Sequence, residues 1–205
     1  MTVLVDYKAG NLTSVRNAFT AIGAETVVSD DPAVVRAADR IVFPGVGAAA
    51  SAMANLKRLG LDAALGDAVR SGRPFLGICL GMQVLFEHSE EDGGVDLLGF
   101  LPGRVRRFPD VASFKVPAIG WNQVAFGDAV SRPRLSEDGS VAPLPEYYFV
   151  HSYYAEVGPY TIGTTDYAGV TFTSAVRKGN LTAYQFHPEK SGRVGLALLS
   201  SWLKD

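Results

Sequence analysis

A chain of 205 residues that is 47% hydrophobic and 20% charged has material for one folded core and too little charge for a solvated, disordered chain. Its formal net charge of -2 leaves no basic surplus for nucleic acid, and no run of like charge forms a tail. No apolar stretch nears the roughly 18 residues of a membrane span, and the lone cysteine excludes an internal disulfide. The start, MTVLVDYKAGN, lacks the basic-then-apolar pattern of a signal peptide. The expectation is a single cytoplasmic domain over 1–205, with neither nucleic acid nor membrane as a partner.

In chain order, Thr2–Asp6 reads as a first strand. Leu12–Ile22 carries apolar residues at helical spacing and is closed by Gly23. Glu25–Val28 is a second strand, and Asp30-Asp31-Pro32 opens a helix. Arg40–Phe43 is a third strand, running into Pro44-Gly45-Val46-Gly47. Ala48–Leu59 and Leu61–Arg70 are helical. Phe75–Ile78 is a fourth strand that enters Cys79 and a helix over Leu80–Glu87. Strands alternating with helices predict parallel βαβ units with helices on both sheet faces, and chemistry at the carboxyl ends of the strands. Beyond Gly103 the pattern turns to short strands: around Val105, around Val124, and over Tyr147–Val150, Thr161–Thr165, Val170–Val176 and Thr182–Phe186. Phe126–Pro145 reads as a variable loop, and Arg193–Leu203 as a closing helix.

The segment Gly77-Ile78-Cys79-Leu80-Gly81, between strand and helix, is the cysteine form of a nucleophile elbow. A nucleophile there projects from a strained turn, glycines two residues away on either side avoid clashes, and the helix start favours thiolate. A free cysteine is also a common small core residue, so the motif needs a base. His187-Pro188-Glu189 supplies one. Proline holds His187 extended, where residues i and i+2 share a face, and a carboxylate at 189 can orient the imidazole. Alone, this tripeptide would equally suit a surface histidine and a helix-start glutamate. His88, in EHSEED, reads as a solvated helix end. His151, among apolar strand residues, reads as pocket wall or structure. Gly45, Val46 and the N–H of Leu80 are candidates for binding an oxyanion. No phosphate-loop or metal-ligand spacing is present, so neither a nucleotide cofactor nor a metal is expected.

GICLGMQ, PGVG and QFHPEKS together resemble class I (triad) glutamine amidotransferases. Asp6-Tyr7 with Gly10-Asn11, PAIGWN over 117–122 and YFVHSY over 148–153 resemble the histidine-pathway branch of that family. These last segments separate the chain from members serving anthranilate or pyridoxal phosphate synthesis. The resemblance covers Val5 to the last helix. It implies a flavodoxin-like, mostly parallel sheet with added antiparallel strands. It also implies that Cys79 attacks the side-chain amide of L-glutamine, with His187 shuttling protons and Glu189 orienting it. Val46 and Leu80 would hold the oxyanion, and Gly47, Gln83, Ser152 and Tyr153 would line the glutamine pocket. Ammonia would pass to a separate (β/α)8-barrel cyclase subunit in a heterodimer. Asn11, Trp121, Asn122, Tyr148 and Lys190 would face that partner. On sequence alone, Trp121 suits an interface and a core equally. A stand-alone cysteine hydrolase and an inactive binding module are the readings of another kind.

Overall fold

The structure is a computed structural model and describes residues 1–127 and 143–204. The elements in order are β1 (Thr2–Val5), α1 (Leu12–Ala21), β2 (Thr26–Ser29), α2 (Pro32–Ala37), β3 (Arg40–Gly45), α3 (Ala49–Leu59), α4 (Leu61–Arg70), β4 (Phe75–Cys79) and α5 (Leu80–Gln83). Then come β5 (His88–Ser89), β6 (Val95–Asp96), β7 (Arg104–Arg107), β8 (Ala118–Gln123), β9 (Ala125–Phe126) and β10 (Glu146–His151). The chain closes with β11 (Tyr153–Ala155), β12 (Thr161–Tyr167), β13 (Val170–Lys178), β14 (Leu181–Tyr184) and α6 (Gly192–Trp202).

Among the described residues the main sheet runs β2-β1-β3-β4-β14-β13-β11-β7-β5-β6, with β12 and β9 attached beside β13. β1 pairs in parallel with β2 and β3, β3 with β4, and β4 with β14. The half beyond β14 is mostly antiparallel. The expected architecture of a mostly parallel core with added antiparallel strands is therefore present. β8 and β10 form a separate two-stranded ribbon.

Alternation along the parallel strands divides the core. Val3, Val5, Ile41, Phe43 and Phe75 face α2, α3 and α4, whereas Leu4, Val42, Leu76 and Ile78 face α1 and α6. Phe19 of α1 meets Trp202 of α6 edge-on at 6.0 Å. Each such fully buried side chain contributes roughly 1.5–3 kcal/mol. The helix boundaries follow local chemistry. Asp31 Oδ1 accepts from Ala33 N–H at 2.8 Å ahead of Pro32, and the left-handed Gly60 (φ 67°) ends α3.

Two expectations are corrected. The helix after Cys79 stops at Gln83 instead of Glu87. The N–H groups of Leu85 and Phe86 donate to the i−3 carbonyls of Met82 and Gln83, and Glu87 N–H donates to Gly103 O, so the i→i−4 ladder stops there. The carbonyls of Val84, Leu85, Phe86 and Glu87 are then satisfied by the N–H groups of Leu98, Leu101, Gly99 and Leu97 of a returning segment. His88 is not a helix end: it starts β5, paired with Asp96 and Arg104, and its Nδ1 lies 3.0 Å from Asp96 Oδ1. The strand expected around Val124 is present as β8 and β9, which meet on either side of it. The variable-loop expectation for 126–145 falls mainly on 128–142, outside the described residues.

Candidate active site

Cys79 ends β4 with φ 55° and ψ -114°, a backbone conformation that costs a non-glycine residue about 1–3 kcal/mol. The flanking glycines make the turn possible, though by a different contact from the one the motif suggests. A Cβ on Gly81 would sit well inside van der Waals distance of the Phe43 carbonyl oxygen of β3. A Cβ on Gly77 would lie 2.8 Å from Gly81 O and 2.9 Å from Ala183 Cβ. Glycine thus lets the elbow lie flat against β3 and β14. The single-turn α5 adds little macrodipole. The thiol is 6% exposed, 3.9 Å from Val150 O and 3.8 Å from Gln185 Nε2.

His187 has an extended backbone (φ -98°, ψ 93°), as Pro188 demands, but Pro188–Lys190 then coils into a 3-10 turn. That turn, not a shared strand face, brings Glu189 Oε1 to 2.7 Å from His187 Nδ1. Both side chains are almost wholly buried. Burial opposes the imidazolium, but the Cys79 sulfur and the Glu189 carboxylate outweigh it and push His187 up to about 10. His187 Nε2, the nitrogen turned away from Glu189, makes no hydrogen bond of ordinary geometry at rest, and the Cys79 sulfur acts on it across a looser contact. The arrangement holds a histidine strong enough to take the thiol proton, its ring oriented by Glu189.

Glu189→Gln is expected to lower the rate of thiol-dependent chemistry about 10²–10⁴-fold, measured as kcat, by weakening both the orientation and the charge of His187. Stability carries the same signature. A pKa raised from 6.5 to about 10 confers stabilisation that is complete below about 6.5 and lost as pH rises through about 10. The thermal midpoint of the parent chain should therefore fall more steeply across that window than the variant's. Parallel curves with equal kcat would remove Glu189 from its role.

A cavity of about 270 Å³ opens beside the sulfur. Val46, Gly47, Leu80, Gln83, Ser152 and Tyr153 line it with Cys79. Gly45 does not reach it: it is buried in β3, directly opposite Cys79 in register. The Tyr7 hydroxyl, buried without a hydrogen-bond partner, fills the place a Gly45 side chain would need. Gln83 ties the wall together, donating to Tyr153 O at 2.7 Å and Gln185 Oε1 at 2.9 Å.

Sequence reasoning missed Glu91. Its carboxylate borders the cavity, accepts from Ala49 N–H at 2.6 Å, and is raised in pKa by burial. A charge run reads as solvated surface, which hid it. His151 is pocket wall, as expected. Its Nδ1 lies 2.7 Å from Tyr153 O, so Nδ1 carries the proton, and burial lowers its pKa to about 4. A base that weak does not compete with His187 for the thiol proton.

The residues expected to face a partner divide. Trp121 is 54% exposed, which overturns the core alternative for it. It stands opposite Tyr148 in the β8–β10 register, with ring centroids 6.3 Å apart, and Lys190 Nζ lies 5.8 Å from the Tyr148 ring. Asn122 is half-buried beside them, opposite Tyr147. Asn11 caps α1, its Oδ1 accepting from Ser14 N–H at 3.3 Å. Among the described residues no His/Cys/Asp/Glu group is arranged to hold a metal, and no helix is long and apolar enough to cross a membrane.

Residues 3–203 match the family model described as glutamine amidotransferase class-I. Relatives named imidazole glycerol phosphate synthase subunit HisH are similar along their whole length. The one from Symbiobacterium thermophilum is 49% identical over 98% of this chain and 92% of its own. The one from Herpetosiphon aurantiacus is 44% identical over 100% and 94%. Among solved structures, one titled a glutamine amidotransferase superposes with TM-score 0.73 at 17% identity, covering 98% of this chain and 97% of that one. PurLQS from Thermotoga maritima superposes with TM-score 0.68 at 17% identity, covering 99% and 97%, so both share the fold. With an elbow cysteine, a carboxylate-held histidine and a family match from the first strand to the last helix, the chain belongs to the class-I glutamine amidotransferases.

Proposed function

We propose that residues 1–205 form one amidotransferase domain, the glutaminase subunit of an imidazole glycerol phosphate synthase. The observation that carries the reading is the Cys79 elbow facing the buried His187–Glu189 pair beside a cavity of about 270 Å³. The Cys79 thiolate attacks the amide carbon of L-glutamine. The resulting oxyanion is held by the N–H groups of Val46 and Leu80, with Gly45 setting the loop. His187 gives its proton to the departing nitrogen, leaving ammonia and a glutamyl thioester. His187 then takes a proton from water, whose oxygen releases glutamate and restores the thiolate. Gly47, Gln83, Ser152 and Tyr153 shape the pocket, and Glu91 supplies a counter-charge for the substrate's α-ammonium. No step requires a cofactor.

Ammonia passes to a (β/α)8-barrel cyclase subunit (HisF) in a cytoplasmic heterodimer. There it joins a phosphoribosyl-formimino carboxamide ribonucleotide to give imidazole glycerol phosphate and an aminoimidazole carboxamide ribotide. Support for the partner comes from the names of the relatives and from the exposed Trp121–Tyr148–Lys190 stack beside the site. Aromatic residues of this kind dominate interface energetics.

The test is glutamine turnover by the chain alone and with the cyclase subunit and its ribonucleotide. Acceleration by the loaded partner is expected. Equal turnover in both states would return the chain to a stand-alone hydrolase. In the same assay Trp121→Ala should weaken partner affinity about 10–30-fold. Unchanged affinity and activation would place the interface on another face.

A further inference from the structure

Resting on the partner face just proposed, we infer that Ser191 is a positioning residue that ties His187 to the β8–β10 ribbon. A partner seated on Trp121, Tyr148 and Lys190 then sets the geometry of the base.

Ser191 occupies the residue before α6, where a serine side chain ordinarily caps the helix by accepting from an N–H in its first turn. Here it makes no such cap. Its hydroxyl, 1% exposed, instead accepts from Tyr148 N–H at 3.0 Å and donates to His187 O at 2.7 Å. His187 N–H in turn donates to Tyr148 O at 2.9 Å. One residue of β10 is thereby closed into a hydrogen-bonded ring with the catalytic base. Lys190 N–H adds a further bond to His187 O at 3.0 Å. Helix α6 presses on this turn: a Cβ on Gly195 would collide with Pro188 O and lie 2.9 Å from Ser191 Cβ.

The Tyr148 side chain belongs to the opposite world. It packs edge-on against exposed Trp121 and under the Lys190 ammonium. Two residues along the same strand, Val150 O lies 3.9 Å from the Cys79 sulfur. Strand β10 therefore borders both reacting groups and carries the exposed stack. His187 Nε2 makes no hydrogen bond of ordinary geometry at rest, so its contact with the sulfur is left to respond to a shift of β10 passed through Ser191.

The experiment compares Ser191→Ala and Ser191→Thr with the parent chain. It measures glutamine turnover alone and with the cyclase subunit and its ribonucleotide, alongside partner affinity. In Ser191→Ala the activation ratio should fall about tenfold with partner affinity retained, and Ser191→Thr, which keeps the hydroxyl, should restore most of it. A purely structural serine would lower basal and activated turnover alike and leave the ratio intact, which overturns the inference. A second measurement needs no variant. Amide hydrogen exchange at Tyr148 and His187 in the parent chain should slow together when the partner binds. Unchanged exchange at both also overturns the inference. Failure of the parent chain to be activated at all would instead strike the proposed function.

Discussion

Cys79→Ala should abolish glutamine hydrolysis, lowering kcat by about 10⁴-fold or more, while the chain stays folded. The activity loss follows because a thioester needs a thiol and the sequence contains a single cysteine, Cys79, which lines the cavity. Retention of the fold follows from geometry. Alanine keeps the Cβ that already occupies this strained turn, so the backbone cost is unchanged. Besides its interaction with His187, the sulfur contacts Val150 O and Gln185 Nε2 only loosely, at 3.9 and 3.8 Å. Its removal leaves His187 held by Glu189 at 2.7 Å, so the fold is kept even though the pH-dependent stabilisation from His187 shrinks. Circular dichroism and partner affinity should match the parent chain. Residual turnover within about tenfold of the parent would mean that another nucleophile operates.

Gly81→Ala is the counterpart for stability. The added methyl would run into the backbone of β3 at Phe43, not into the flexible end of a side chain. Relief requires the elbow to separate from β3, and with it the register of Gly45 opposite Cys79. A loss of about 3 kcal/mol or more is expected, together with loss of activity. Gly23→Ala provides the control. Its φ of 78° is equally left-handed but nothing lies within 4 Å, so it should lose only about 1 kcal/mol. Denaturant melts of the two variants separate steric collision from backbone strain. Equal losses would show that the close approach of Gly81 to β3 is not what the elbow depends on.

The contrast between the two halves of the chain explains what was legible in the sequence. β1, β3 and β4 are short apolar runs alternating with amphipathic helices, and parallel strands buried on both faces leave that pattern. The elbow and His187-Pro188-Glu189 were legible because each is a local arrangement demanded by its chemistry. What stayed hidden depends on distant partners. β5 and β6 are two residues each and lie in or beside a charge run, so no periodicity marks them. Glu91 acquires meaning only when its segment folds back to the Ala49 N–H. The expected helix over 80–87 stops early because Glu87 N–H pairs with the distant Gly103 O and the carbonyls of 84–87 find partners in the 97–101 segment, contacts no local pattern announces. Trp121 is ambiguous in the sequence because an aromatic residue suits either side of a ribbon, and only its 54% exposure in the folded chain shows which side it takes.

The most direct measurement of the central claim is the mass of the chain after rapid acid quenching during glutamine turnover. A population heavier by one glutamyl group, mapped to the peptide bearing Cys79 and absent from Cys79→Ala, is the predicted result. Turnover without that adduct, or an adduct on any other residue, would contradict Cys79 as the nucleophile.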